Sequence, residues 1–300
     1  PPALTPRSPR IGEKVIYALL RSASLLTVLI TAGILVALAI PAAEFFAQVP
    51  VTDFLFGTRW APQFADASFG VIPLVSATLW TTVIALAVAV PFGLGAAVFL
   101  SEYAHPKLRS VLKPILEVLA GIPTVVYGYF ALTFVQTTVF REWMQLPTEA
   151  FSVLAAGLVM GVMIVPTIAS ISEDAMSAVP QSMRQGSAAL GANRMQTTVR
   201  VVFPAALSGI IAAVVLGISR AVGETMIVAI AAGQQARIVE NPLELGQTMT
   251  GFIANAALGD ARVGSLEYDT LYAVGLLLFT LTLIINFISI AIVRRFREAY

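Results

Sequence analysis

The sequence predicts an all-α integral membrane protein with six transmembrane helices. Three observations lead there: the composition, the spacing of long apolar runs, and the distribution of lysine and arginine. The 300 residues are 58% hydrophobic and only 12% charged, whereas soluble domains carry roughly a quarter of their residues charged. Apolar runs long enough to cross a bilayer recur along the whole chain. Thirteen of the eighteen lysines and arginines fall in segments 1–21, 102–113, 173–200 and 294–300. The alternate segments hold only Arg59, Arg141, Arg237 and Arg262. Positive charge collects on the cytoplasmic side, so both termini and the 173–204 loop are expected in the cytoplasm.

A polar, proline-rich tail over 1–21 precedes a single transmembrane domain over 22–300. The first span is expected over Ser22–Ile40. Ala37 and Ala39 give it the look of a signal-peptide cleavage site, but its 19 residues suffice for an uncleaved anchor. Residues 44–70, with Glu44, Asp53, Arg59 and Asp66, read as an extramembrane loop. The second span runs over Ile72–Leu100, with Pro91-Phe92-Gly93 as a kink, and the third over Pro114–Phe140, enclosing Gly121-Ile122-Pro123-Thr124. The fourth covers Phe151–Ile171, broken at Pro166-Thr167. Pro204–Ala232 is the fifth, a polar outer loop occupies 233–269 with a short helix over Gln247–Leu258, and Thr270–Val293 is the sixth.

Several functions are excluded by residue inventory. Absence of cysteine removes thiolate metal sites, and a single histidine, His105, beside Pro106 in a charged loop, removes histidine-rich ones. A net charge of +1 without a basic cluster gives no nucleic-acid footprint. Gly-Lys does not occur, so there is no phosphate-binding loop of the G-x-x-x-x-G-K type and no bound cofactor is expected. Without a nucleophile–histidine pair the chain is not expected to be an enzyme by itself.

Charges at membrane depth are costly and normally face protein or water. Arg220 and Glu224 lie four apart on the fifth span, hence on one face of a continuous helix. Two readings stand side by side. Either they form a buried, self-neutralising pair, or they belong to an anion site on a translocation path. In the second, the arginine fork matches a tetrahedral oxyanion. A carboxylate fits such a site only if the anion carries a hydroxyl, as hydrogen phosphate does and sulfate does not. Thr124 and Thr167 follow prolines that interrupt spans, and such interruptions tend to line cavities, so both join the candidate pathway. Glu117 is expected to be satisfied locally by Lys113.

The polar stretch Glu173–Pro204 separates two apolar runs. Pro180 breaks it, Ser187, Ala188 and Ala189 let a partner approach closely, Leu190 offers an apolar anchor, and Gly191 permits a left-handed turn. An amphipathic interfacial helix is the plain alternative. The stretch resembles the cytoplasmic coupling loop of binding-protein-dependent ABC importers, which reads E-A-A, then G, nine residues and I-x-L-P. Gly191 stands at the glycine, Ala192–Arg200 are the nine, and Val201-Val202-Phe203-Pro204 close the pattern. Gln185-Gly186-Ser187 departs from the E-A-A opening.

The resemblance extends to PFGLGAAVFLSEYA, GIPTVVYGYFAL, VPTIASISEDAMSAVP, SRAVGETMIVAIAAG and TMTGFIANAALGDA. These are similar to the permease of the high-affinity phosphate ABC importer, of the PstC type. The resemblance implies a type I importer permease fold and half of a phosphate pathway in which Arg220 and Glu224 are required. It also implies ATPase docking through Gln185, Gly186, Ser187, Ala188, Ala189, Leu190, Gly191 and Pro204. The implied partners are a PstA-type permease, two ATP-binding subunits that hold ATP and Mg, and an extracytoplasmic phosphate-binding protein meeting the 233–269 loop. A molybdate or sulfate importer, an ion-gradient-driven secondary transporter and a non-transporting scaffold are the competing readings. The secondary transporter would need more intramembrane carboxylates than Glu224 and Glu117.

Overall fold

The computed structural model describes residues 11–259 and 261–295. The start of the expected tail and the last residues of the 294–300 basic segment lie outside the described residues. Residues 11–21, expected in that tail, form the first turns of a 38-residue helix α1 (Ile11–Gln48). A short helix α2 (Val51–Phe56) and a two-stranded antiparallel hairpin follow, β1 (Trp60–Ala61) pairing with β2 (Ser68–Phe69) so that Trp60 faces Phe69. Phe45, Phe54, Trp60 and Phe252 interlock edge to face here and form one buried cluster with Leu74, Met249 and Val274.

The centre is the pair α3 (Ile72–Val98) and α6 (Val153–Ser177). Lipid offers no hydrophobic drive to join two apolar helices, so they pack where small residues let backbones approach. A Cβ on Gly161 would lie 2.8 Å from the Ala85 carbonyl oxygen, and one on Gly157 would lie 2.8 Å from the Ile84 side chain. Around that seam Ala89, Ala156, Met160, Met163, Ile164 and Ile168 are buried. Helix α10 (Leu207–Val222) packs on α6, and α13 (Leu266–Arg295) packs on α1 and α10. The outward apolar side chains of α1, among them Leu25, Leu29 and Ile34, are exposed, as a lipid-facing surface requires.

Four helices, α1, α3, α6 and α13, are continuous and apolar enough to span a membrane, and two bent pairs bring the number to six if each counts as one span. The bends correct the expected third and fifth spans. Residues 114–140 are not one helix. An amphipathic α4 (Pro106–Ala120) meets α5 (Thr124–Phe130), which continues as a π-helix to Trp143, at 85°. Gly121 ends α4, and Pro123 both disfavours helical geometry at Ile122 and starts α5. The fifth stretch bends by 71° at Ala206 and breaks again at 223–225, where α11 (Met226–Ala231) begins. Conversely, the break expected at Pro166-Thr167 is absent: α6 runs through both residues, with Pro166 buried inside it. Pro91 likewise lies inside α3. A proline within a packed membrane helix costs one hydrogen bond, which neighbouring helices can make tolerable.

Helix α3 ends in a π turn at Tyr103. The polar stretch after α6 folds as α7 (Gln181–Ala189), α8 (Arg194–Thr197), a π turn Thr198–Val202 and α9 (Phe203–Ala205). The expected outer helix begins at Met249 and forms α12 (Met249–Leu258), capped by the Thr248 hydroxyl.

Candidate functional site

Helix α10 stops at Val222, with Gly223 as its cap, so Arg220 and Glu224 do not share one helical face. The Glu224 carboxylate turns instead to the start of α11 and accepts the Met226 and Ile227 amides at 3.1 and 3.3 Å. Those N–H groups have no intrahelical partner, and a carboxylate at a helix start also meets the positive end of the backbone dipoles. The Glu224 carbonyl in turn accepts the Thr250 hydroxyl at 2.6 Å, which pins the break to the first turn of α12. Glu224 is buried; Arg220 is half-buried and, among the described residues, has neither an ion pair nor a hydrogen bond. The self-neutralising pair is therefore not what forms.

The α4–α5 elbow lies beside this break. Gly128 of α5 sits directly on α11, where a Cβ would approach the Ile227 Cα to 3.2 Å. The Tyr127 hydroxyl donates to the Leu119 carbonyl at 2.9 Å, bracing the elbow, and lies within electrostatic reach of Arg220. Thr124 opens α5, half-buried, with no hydrogen bond from its hydroxyl. Thr167 is also half-buried, its hydroxyl makes no hydrogen bond among the described residues, and it sits in unbroken α6. The structure thus places Arg220, Glu224, Tyr127 and Thr124 at two adjacent breaks and Thr167 on a continuous helix. Chemically, this is one guanidinium with five donors and no acceptor among the described residues, beside a Tyr127 hydroxyl and a Glu224 carboxylate committed to backbone and a Thr124 hydroxyl that is not.

The second candidate region is the polar stretch after α6. Gln185, Gly186, Ser187, Ala188 and Ala189 lie on α7, Leu190 caps it, and Gly191 follows with φ +84°. The Gly191 amide bonds to the Ala188 carbonyl at 2.9 Å and the Ala192 amide to the Ser187 carbonyl at 3.2 Å, which makes a Schellman ending. Asn193 and Gln196 then form a reciprocal capping box that starts α8. Leu190 is 91% exposed, so the corner presents an apolar tip outward. Pro204 is exposed within α9.

What holds this corner to the body is a set of charges that residue-by-residue reading missed. Arg184 of α7 pairs with Glu102 at 2.8 Å and donates to the carbonyls of Met176 and Val179. Ser187 and Thr197 join α7 to α8 through their hydroxyls at 2.9 Å. Behind them Glu173, fully buried, takes Arg109 and Lys113 of α4 and the Ser177 hydroxyl; Lys113 also bonds Asp174. Lys113 is therefore engaged with α6, and Glu117, expected to be its partner, is exposed. Bonds to Asp174 and Glu173 raise the Lys113 pKa, with burial opposing. The only available signal was that a basic segment (107–113) and an acidic pair (173–174) flank spans on one side. His105 is exposed and caps α4 by accepting the Lys107 amide.

On the opposite side, Glu149 accepts Arg237 at 2.7 Å and the Leu245 amide at 3.1 Å, while Gln136 bridges the Glu149 carbonyl and the Ser152 hydroxyl. Burial pushes the Glu149 carboxyl up, but the Arg237 and Leu245 bonds and the Arg237 charge outweigh it, leaving the pKa below the ordinary carboxylate value.

A profile of the binding-protein-dependent transport system inner membrane component family matches residues 89–298, which spans both candidate regions. The chain belongs to this family. A probable ABC transporter permease protein YqgH of Bacillus subtilis is 38% identical over 81% of this chain and 76% of its own length. The phosphate transport system permease protein PstC of Mesorhizobium japonicum is 30% identical over 92% and 88%, and PstC 1 of Mycobacterium tuberculosis is 36% identical over 76% and 73%. Among solved structures, a bacterial alginate ABC transporter in complex with a pentasaccharide-bound periplasmic protein superposes with a TM-score of 0.67 at 15% identity, covering 94% of this chain and 95% of the other. The inward-facing MetNI methionine transporter gives 0.57 at 20% identity, covering 76% and 95%. The fold is that of a type I importer permease, and the protein is a multi-pass inner-membrane permease.

Proposed function

We propose that this chain is the PstC-type permease of an ATP-driven phosphate importer, providing half of the translocation pathway. The observation that carries the anion path is Arg220: permanently charged, half-buried beside two helix breaks, and without an acceptor among the described residues. A passing oxyanion supplies that acceptor, and the planar fork suits two of its oxygens at once. Relatives named as phosphate permeases support phosphate as the anion. Glu224 then acts chiefly by holding the break open through the α11 amides, Thr124 and Tyr127 line the approach, and Thr167 joins the pathway from the continuous α6.

The chain performs no hydrolysis in this reading. Two partner ATPases bind ATP and Mg and receive the Gln185–Gly191 corner, with the exposed Leu190 as its apolar anchor. A PstA-type permease completes the pore, and a phosphate-binding protein docks outside on residues 233–269, with both termini cytoplasmic. Proteoliposomes holding the complete complex test the substrate. Uptake of radiolabelled phosphate should be blocked by excess unlabelled phosphate and not by sulfate or molybdate. Uptake of sulfate or molybdate in its place would refute phosphate as cargo, and transport without ATP would refute the importer class.

A further inference from the structure

From Ala175 to Gly223 the chain holds no aspartate or glutamate, yet it holds four arginines. Arg220 lies in α10, and Arg184, Arg194 and Arg200 lie in the polar stretch after α6. This corner is therefore basic, where the importer pattern opens on a glutamate and this chain has Gln185. The structure shows which of its charges are neutralised within the chain. Arg184 pairs with Glu102 at 2.8 Å. Arg194 and Arg200 are exposed and, among the described residues, neither has an ion pair or a side-chain hydrogen bond.

Arg194 is nevertheless held in place. Its guanidinium carbon stands 5.4 Å from the centre of the Tyr103 ring, and the Tyr103 hydroxyl donates to the Met195 sulfur at 3.6 Å. One aromatic side chain in the π turn after α3 thus grips two successive residues of α8. There Arg194 lines a cleft of about 540 Å³ with Gln181, Gln185 and the Arg184–Glu102 pair. Arg109 lines it too, but Glu173, buried behind it, already answers that charge. Glu117 shares an adjoining cleft with Arg194 and does not pair with it. Arg200 lines another cleft, of about 560 Å³, beside the exposed tip Leu190. Both the 540 and the 560 Å³ clefts reach Ala192, next to the Gly191 turn, so the apolar tip is accompanied by two cations that no carboxylate of the described chain neutralises.

We infer that the ATPase surface receiving this corner is acidic, and that its carboxylates pair with Arg194 and Arg200. The inference rests on the docking role proposed above and adds the partner's chemistry to it. A guanidinium fork fits both oxygens of a carboxylate, and charges at the rim of an interface set how fast and in which register two surfaces meet. Gln185 fits the same arrangement. A glutamate there would line the cleft that Arg194 lines, cancel its charge and repel an acidic partner. A lipid surface is the other source of anionic groups, but a helix lying on a membrane buries a broad apolar face. The exposed side chains of α7 are only glutamine, serine and alanine, so α7 has no such face to offer.

The test follows retention of the ATPase subunits by the complete complex in nanodiscs of zwitterionic lipid as salt is raised. Wild-type association should weaken with ionic strength. Arg194→Gln with Arg200→Gln should lower association roughly three- to tenfold at low salt and flatten the salt dependence. Arg194→Lys with Arg200→Lys keeps both charges and should retain most of the association. Gln185→Glu, which restores the glutamate of the importer pattern, should weaken association by a similar factor. Unchanged or tighter association in Gln185→Glu overturns the inference. So does a loss in the glutamine variant that appears only when anionic lipid is added, which would assign the arginines to the bilayer. Because the chain has no cysteine, Leu190→Cys reads the docking role separately by cross-linking to the ATPase. A cross-link together with normal retention in the glutamine variant removes the acidic surface alone, whereas absence of any cross-link removes the docking role and this inference with it.

Discussion

Gly191 gives the sharpest test of how the proposed coupling corner is built. Its φ of +84° is left-handed, while a Cβ placed there would meet nothing within 4 Å. Any cost of Gly191→Ala is therefore backbone strain and not a clash. Left-handed geometry costs a non-glycine residue roughly 1–2 kcal/mol, and relaxing it would break the two N–H···O=C hydrogen bonds of the Schellman ending. Gly186 supplies a matched control, since it is also free of neighbours within 4 Å but sits inside α7. There an alanine should gain up to about 1 kcal/mol of helix propensity. Hydrogen exchange reads both: the Gly191 and Ala192 amides should exchange about 5–30-fold faster in Gly191→Ala, and α7 amides more slowly in Gly186→Ala. Gly191→Val, β-branched at the same position, should lower phosphate uptake and substrate-stimulated ATP hydrolysis in complexes that still insert and assemble. Unaltered exchange at Gly191 and Ala192 would refute the backbone argument; unaltered coupling in the valine variant would refute the corner's role.

Three further outcomes are expected. Arg220→Lys keeps the charge but loses the fork, and should cut phosphate uptake strongly while basal ATP hydrolysis persists; because Arg220 and Glu224 are not paired, Arg220→Met with Glu224→Leu should also abolish uptake, and near-normal transport in that double variant would sink the anion site. Glu173→Leu leaves Arg109 without its ion pair and Lys113 with Asp174 alone, and the two are 38% and 26% exposed and can reach water, so the usual loss of about 3–5 kcal/mol for a broken buried pair shrinks to roughly 1–3 kcal/mol; thermal unfolding in detergent measures it, and an unshifted midpoint would show that Glu173 does not hold α4 to α6. The depressed pKa of Glu149 stabilises the outer loop above the ordinary carboxylate value and ceases to as pH falls through the folded value. Exchange of the Leu245 amide should thus accelerate only below about pH 4.5, and Arg237→Gln should move that onset upward; an onset independent of Arg237 would contradict the assignment.

The apolar runs and the sidedness of charge were legible because transfer into lipid is a sum over local residues, and each residue carries its own term. The Gly191 turn was legible for a similar reason, since only glycine adopts that geometry without cost. Long-range partners were not. Nothing near Glu173 in the chain announces Arg109 or Lys113, 64 and 60 residues away, and the neighbour Glu117 gave Lys113 a plausible but wrong partner.

The breaks show most clearly where local rules stop. Proline marks positions where a helix loses a bond, yet α6 passes through Pro166 and the chain breaks instead at Gly223–Thr225, where there is no proline. A break at membrane depth exposes backbone groups that lipid cannot satisfy, so it persists only where other groups take them over. At Pro123 the adjoining Gly121 ends one helix, and the Tyr127 hydroxyl takes the Leu119 carbonyl. At Glu224 the carboxylate takes the α11 amides and Thr250 takes the carbonyl, 26 residues on in the chain. At Pro166 no such set is present among the described residues, and the helix continues. The same accounting separates the roles of the two intramembrane charges. Glu224 is consumed in making the break possible. Arg220, next to it and without an acceptor among the described residues, is the group that the proposed pathway assigns to the anion.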